Sequence, residues 1–129
     1  MDQDWRPGKL CYLELPTTDA QRSADFYADV FGWRIRRRED GSFAFDDTVG
    51  AVSGSFVTDR PPADDPRLIA YVMVADAERS LAAVVAAGGR IVRTTPPGHA
   101  EVFAWFADPT GNVLGIYRQP GLAESARAR

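Results

Sequence analysis

The chain has little of what would mark a cross-linked, metal-clustered or membrane-spanning protein. Its single cysteine, Cys11, excludes an internal disulfide and leaves no cysteine cluster for zinc. The expected role for it is a small buried hydrophobe facing a helix layer, out of reach of any base. There is one histidine, His99, so no histidine pair can seat a metal, and no Ser-His-Asp or Cys-His spacing suggests a nucleophilic triad. No apolar run approaches the roughly 20 residues that cross a bilayer, and no charged-then-apolar leader opens the sequence. The expected location is therefore the cytoplasm, with no membrane partner. A net charge of −3 argues against nucleic acid as a partner, which calls for a basic face.

What is present fits one domain. The 129 residues are 45% hydrophobic and 26% charged, enough for a real core and too few for two independent ones. All the basic residues but Lys9 are arginine. Arg34, Arg36 and Arg38 share one face if their segment is a strand, which reads as a charged sheet edge or as contact with an acidic ligand or a partner subunit.

The most informative feature is a repeat. Thr18-Asp19-Ala20-Gln21-Arg22-Ser23 returns 57 residues later as Ala75-Asp76-Ala77-Glu78-Arg79-Ser80, and Gly32 returns as Gly89. Each copy has an apolar strand-like run before the Asp and a helix-like run after it. In the first copy Leu10–Leu15 reads as a strand, and Thr18 or Asp19 caps the helix that follows. Ala24, Tyr27, Ala28 and Phe31 make its buried stripe, and Gly32 ends it. Short strands follow near Trp33–Arg38, Ser42–Asp46 and Ala51–Val57, the first pair joined at Asp40-Gly41. After a Pro- and Asp-rich linker, Leu68–Val74 is a strand and Asp76 caps a helix with Leu81, Val84 and Val85 inward. Gly88-Gly89 stops it, and strands near Arg90–Thr94, Val102–Ala107 and Asn112–Arg118 complete the copy. Asp108-Pro109-Thr110-Gly111-Asn112 is a strong turn.

The fold class is therefore α+β. Two tandem βαβββ modules form a curled eight-stranded mixed sheet around a central cavity, with helices outside. Module 1 covers about 8–58, the linker 59–67 and module 2 about 68–119, with a polar tail, 120–129, expected to pack weakly.

Asp19–Trp33, Asp76–Gly89 and Phe106–Tyr117 together resemble the vicinal oxygen chelate superfamily, the glyoxalase/bleomycin-resistance/dioxygenase group, over about Leu10 to Arg118. The resemblance implies the fold but not a reaction, since the fold hosts several activities. Its enzymes hold a divalent metal with His, Glu or Gln on the first and last strands of each repeat. Those slots fall here on Tyr12, Ile69 and Gly115, and on Ser53 or Ser55. None is a good ligand for such an ion, so neither metal nor other cofactor is expected. The resemblance also implies a homodimer, the commonest closed assembly.

Strand alternation selects the side chains that line the cavity. They are Tyr12, Glu14, Ser53 and Ser55 from the first module and Ile69, Tyr71, Met73, Glu101, Phe103, Trp105, Val113, Gly115 and Tyr117 from the second. The set is aromatic with few polar groups, as small-molecule sites are, although aromatics can also simply fill a barrel. Glu14 is the candidate general base or polar anchor, with His99 as a second acid–base candidate; Glu14 paired with an arginine, or His99 merely exposed, is the plainer reading of each. The function expected first is metal-free sequestration of an aromatic or apolar natural product or drug, as in the resistance branch of the superfamily. The alternative is a metal-independent lyase, isomerase or cyclase of secondary metabolism, and a metal-dependent glyoxalase or dioxygenase ranks below both.

Overall fold

A computed structural model describes residues 6–96 and 102–119. His99, Glu101 and the tail from 120 onward lie outside the described residues. The first repeat forms β1 (Tyr12–Pro16), α1 (Ala20–Phe31), β2 (Arg34–Arg37), β3 (Phe43–Asp46) and β4 (Ser53–Val57). The second forms β5 (Tyr71–Val74), α2 (Ala77–Ala86), β6 (Arg90–Thr94), β7 (Val102–Ala107) and β8 (Val113–Arg118). The βαβββ order is therefore present twice.

The repeated Asp is the reason both helices start where they do. Asp19 and Asp76 each stay extended, and each accepts a hydrogen bond from the backbone N–H three residues on, at Arg22 and Arg79. That contact satisfies one of the orphan donors of a helix start. Gly32 closes α1 in the left-handed region, at φ 73°. In α2 the cap is Ala87, and the left-handed turn passes to Gly88, at φ 99°. Gly89 is small for a different reason. A Cβ there would press within 2.8 Å of Val84 and 2.7 Å of the Ala107 carbonyl.

The strands make two four-stranded sheets, ordered β1-β4-β3-β2 and β5-β8-β7-β6. In each, the first and last strands of the repeat run parallel and the other neighbours antiparallel. Among the described residues no strand of one sheet is hydrogen-bonded to a strand of the other, so the curl they form stays open.

One face of each sheet carries the apolar residues that meet the helices. Leu15, Phe45 and Phe56 do this in the first sheet, and Ala104, Phe106, Leu114 and Ile116 in the second, all within one continuous core. Tyr27 and Val84, 57 residues apart, are both fully buried at its centre. The core crosses between the modules through rings. Phe106 of β7 lies 6.0 Å from Phe26 and 5.6 Å from Phe31, both on α1. Full burial of each such ring stabilises the fold by roughly 1.5–3 kcal/mol. Neither module can fill this layer alone.

Polar contacts fix the same junction. The buried Tyr27 hydroxyl donates to Asp108 Oδ2 at 2.8 Å, while Asp108 Oδ1 accepts the N–H groups of Thr110, Gly111 and Asn112. Asn112 donates to the Pro16 carbonyl and accepts from Ala63 N–H. The Asp-Pro-Thr-Gly-Asn turn is thus a peg in the first module. Burial, then the Asp108 carboxylate, pushes the Tyr27 phenol well above its ordinary value.

Three expectations are corrected here. Cys11 is exposed, because the ladder begins one residue later and the chain ahead of it is not covered by a helix. The second module's strand begins at Tyr71, so Ile69 and Ala70 precede the ladder. Ala70 meets it through its carbonyl, which accepts from Gly115 N–H at 2.9 Å. Val85 is exposed, leaving α2 with a narrower buried stripe around Val84.

Candidate functional site

Each sheet turns its other face away from the helices, and of the expected cavity-lining residues those on described strands sit on the two open faces, while Ile69 precedes β5 and Glu101 lies outside the described residues. The second module's face is aromatic. The Tyr71 ring lies directly over Gly115, where any Cβ would collide with it. The room that Gly115 leaves is thus taken by the protein's own ring. Trp105 Nε1 donates to the Tyr71 hydroxyl at 2.7 Å, and Phe103 meets Tyr71 edge-on at 6.4 Å. The Arg93 guanidinium stacks 4.9 Å from the Trp105 ring, a favourable cation–π geometry. Tyr71, Met73, Phe103 and Tyr117 surround an open concavity of about 450 Å³. Tyr71 is 45% exposed and Met73 59%, so these side chains do not pack into a filled core.

The first module's face has the same topology and different chemistry. Strand register brings Tyr12 beside Ser53 and Glu14 beside Ser55. Tyr12 is hydrogen-bonded to the Ser55 hydroxyl. Arg38, just past β2, donates to Tyr12 Oη at 3.0 Å and to Ser55 Oγ at 2.9 Å. The Ser55 hydrogen bond, then Arg38, lowers the Tyr12 phenol from its ordinary value, against some burial. Arg36 makes a two-pronged pair with Asp46, at 2.9 and 3.0 Å, and Ser53 donates to the same carboxylate. Asp46 is held below the usual carboxylate range, first by Arg36 and then by Ser53.

Glu14 is ion-paired to Arg60, and both side chains are about half exposed. Ser55 is nearly buried at the foot of this face, and Gly115 and Val113 are buried on the other. Ile69 is half-buried beside the second face. Arg38 is the residue that cavity reasoning missed. Its signal was the Arg34/Arg36/Arg38 alternation, which put it on this face without indicating a hydroxyl pair below it.

The family model for the Glyoxalase/Bleomycin resistance protein/Dioxygenase superfamily matches residues 9–116. The chain belongs to this superfamily. A glyoxylase-like domain-containing protein of Didymella fabae is 28% identical, covering 88% of this chain and 96% of its own length. The anthracycline biosynthesis protein DnrV of Streptomyces peucetius is also 28% identical, over 93% of this chain. The chain spans about half the length of DnrV, whose coverage is 50%. Among solved structures, TnmS3, an antibiotic binding protein from Streptomyces sp. CB03234, superposes with a TM-score of 0.67 at 19% identity. That match covers 88% of this chain and 98% of TnmS3, and at this identity it speaks to the fold.

Membership in the superfamily raises the question of a metal, and the donor set does not fit one. Tyr12 and Tyr71 offer phenols, Ser53 and Ser55 hydroxyls, and Gly115 nothing. The carboxylates on the first module's face are engaged, Glu14 by Arg60 and Asp46 by Arg36 and Ser53. Among the described residues no three His, Cys, Asp or Glu side chains converge, whereas a divalent ion wants imidazole or carboxylate.

Proposed function

We propose that this superfamily member is a metal-free binding protein that sequesters a flat aromatic small molecule, a natural product or drug. The observation that carries the proposal is the open aromatic concavity beside Tyr71, Met73, Phe103 and Tyr117. Large apolar side chains left exposed together on one sheet face mark a binding surface. Stacking contributes roughly 0.5–1.5 kcal/mol per ring pair beyond area burial, so two or three rings support micromolar affinity. The names of two similar proteins, an anthracycline biosynthesis protein and an antibiotic binding protein, support a natural product as the ligand class. The cytoplasmic setting and freedom from cofactors expected from the sequence belong to the same proposal.

The protein acts as a homodimer in this reading. Tyr12, Tyr71 and Met73 stand exposed on the open faces, and a second copy laid over them would close the concavity. Light scattering should return twice the 14.1 kDa chain mass. A clean monomer at high concentration would remove this element. The enzymatic alternative with Glu14 as base requires the Glu14–Arg60 pair to open first, so binding without turnover is favoured.

Trp105 makes the test direct. Titrating the protein with a panel of flat polycyclic aromatics should change tryptophan emission saturably, with micromolar midpoints. A panel that leaves emission unchanged, with no ligand retained after dialysis, would sink the proposal.

A further inference from the structure

Strand register divides the open face of the second sheet into rows. Arg93 on β6 faces Trp105 on β7, Trp105 faces Gly115 on β8, and Gly115 faces Tyr71 on β5. Gly115 carries no side chain, so the Tyr71 ring crosses β8 and brings its hydroxyl to Trp105 Nε1, at 2.7 Å. The neighbouring row is Phe103, Tyr117 and Met73, and these three with Tyr71 line the concavity. Phe103 stands two positions from Trp105 on the same strand and face, about 7 Å along it, and meets the Tyr71 ring edge-on. The Tyr71 hydroxyl therefore sits at the edge of the concavity, on its β7 side.

The direction of the hydrogen bond fixes what this hydroxyl offers. An indole nitrogen donates and cannot accept, so the Tyr71 oxygen is the acceptor of that bond. Its own hydrogen must aim elsewhere, and no acceptor for it stands among the described residues. The Arg93 guanidinium over the Trp105 ring draws on the electron density of the indole and strengthens its N–H as a donor. A phenol that accepts a strong bond is in turn a stronger donor. Tyr117, the other phenol at the concavity, has no such partner among the described residues, so nothing commits it to one role. Phe103 and Met73 carry no N–H or O–H side-chain group.

We propose that Tyr71 is the specificity-determining donor of the concavity, selecting flat aromatic ligands that carry a carbonyl on the ring system. The assignment deepens the binding reading above and rests on it. A ring ketone accepts near the plane of its own rings, so one ligand can lie against the aromatic side chains and take the hydrogen bond at its rim. A plain hydrocarbon leaves the Tyr71 O–H to water, and a ligand with an N–H at that edge sets donor against donor. Glu14, the expected polar anchor, lies on the other module's face and is held by Arg60. The anchor is thus a donor, and the ligand it prefers carries an acceptor rather than a positive charge.

The test uses two tricyclic probes, fluorenone and fluorene, which share a ring frame and differ by one carbonyl. Both are titrated into the full wild-type chain and into Tyr71→Phe, followed by tryptophan emission. Comparing the ratio of the two affinities between the proteins cancels the unequal hydrophobicity of the probes. Loss of one neutral hydrogen bond should shift that ratio about fivefold against fluorenone in Tyr71→Phe. The infrared carbonyl band of fluorenone bound to the wild type should lie below its position in hexane, and Tyr71→Phe should move it back. A ratio equal in both proteins, or a bound band at the hexane position in the wild type, overturns the role of Tyr71 and leaves the aromatic site standing. Failure of both probes to bind the wild type overturns the aromatic site and the donor together.

Discussion

The two modules agree where they face the helices and differ where they face away. Asp19 and Asp76 cap in the same way, and Tyr27 and Val84 occupy matching buried positions. On the open side, one sheet presents hydroxyls and arginine–carboxylate pairs, and the other presents two phenols, an indole with Arg93 stacked on it, a benzyl ring and a thioether. The constraint of a shared core acts on one face of a sheet only. The opposite face is free to take up chemistry, and each module has taken up a different kind.

The largest expected effect tests whether the shared core is one unit. Phe106→Ala removes the ring that bridges β7 to α1 and should cost about 3–5 kcal/mol. Urea unfolding followed by circular dichroism and by tryptophan emission should give one coincident transition at lower denaturant. Two separated transitions would mean that the modules unfold independently.

Next in size is the polar tie across the junction. Tyr27→Phe leaves the buried Asp108 without its phenol partner and should cost about 1–3 kcal/mol. It should also alter the alkaline limb. The folded-state phenol titrates above its unfolded value of about 10, so its contribution is complete below that pH. It is lost as pH rises toward the folded value. Melting temperature against pH should fall above about pH 10 for the wild type and less steeply for Tyr27→Phe. Identical slopes would assign the alkaline loss to other groups.

The aromatic face comes third. Trp105→Ala should weaken binding of a flat aromatic about tenfold, near 1.4 kcal/mol, with global stability changed by less than the Phe106 variant. If stability falls as far as in Phe106→Ala, the face is core rather than site. The smallest effect belongs to Glu14→Gln. Half-exposed ion pairs contribute about 0–1 kcal/mol, so stability should move by under 1 kcal/mol and affinity for a neutral aromatic by less than twofold. A tenfold loss would restore Glu14 as the anchor.

The parts of this comparison that were legible in the sequence are those set by local chemistry. The Asp caps, the Gly32 stop, the hairpin at Asp40-Gly41 and the extents of β6 and β7 follow from residues within a few positions of one another. The helix-facing and open-facing sets follow from alternation. What sequence reading missed depends on partners far along the chain. Tyr12 meets Ser55 because β1 lies parallel to β4, the arginine that one reading paired with Glu14 is Arg60 because the linker folds back, and Tyr71 fills the space over Gly115. Ile69 and Cys11 were misplaced because an apolar run does not reveal where pairing begins. Arg38 was read as a charged sheet edge or as a contact for an acidic ligand or a partner subunit, and neither reading indicated the Tyr12 and Ser55 hydroxyls beneath it.

The peg formed by the Asp108 turn has a consequence for how the chain can be divided. Its partners, Tyr27, the Pro16 carbonyl and Ala63, all precede Asp65. A nick between Asp64 and Asp65 would therefore leave one fragment holding the socket and the other the peg. Each alone would expose half of an aromatic layer and a buried-type polar group in want of its mate. Co-expressed, the two pieces should find each other without a tether, which makes this junction a natural place for a split-protein reporter.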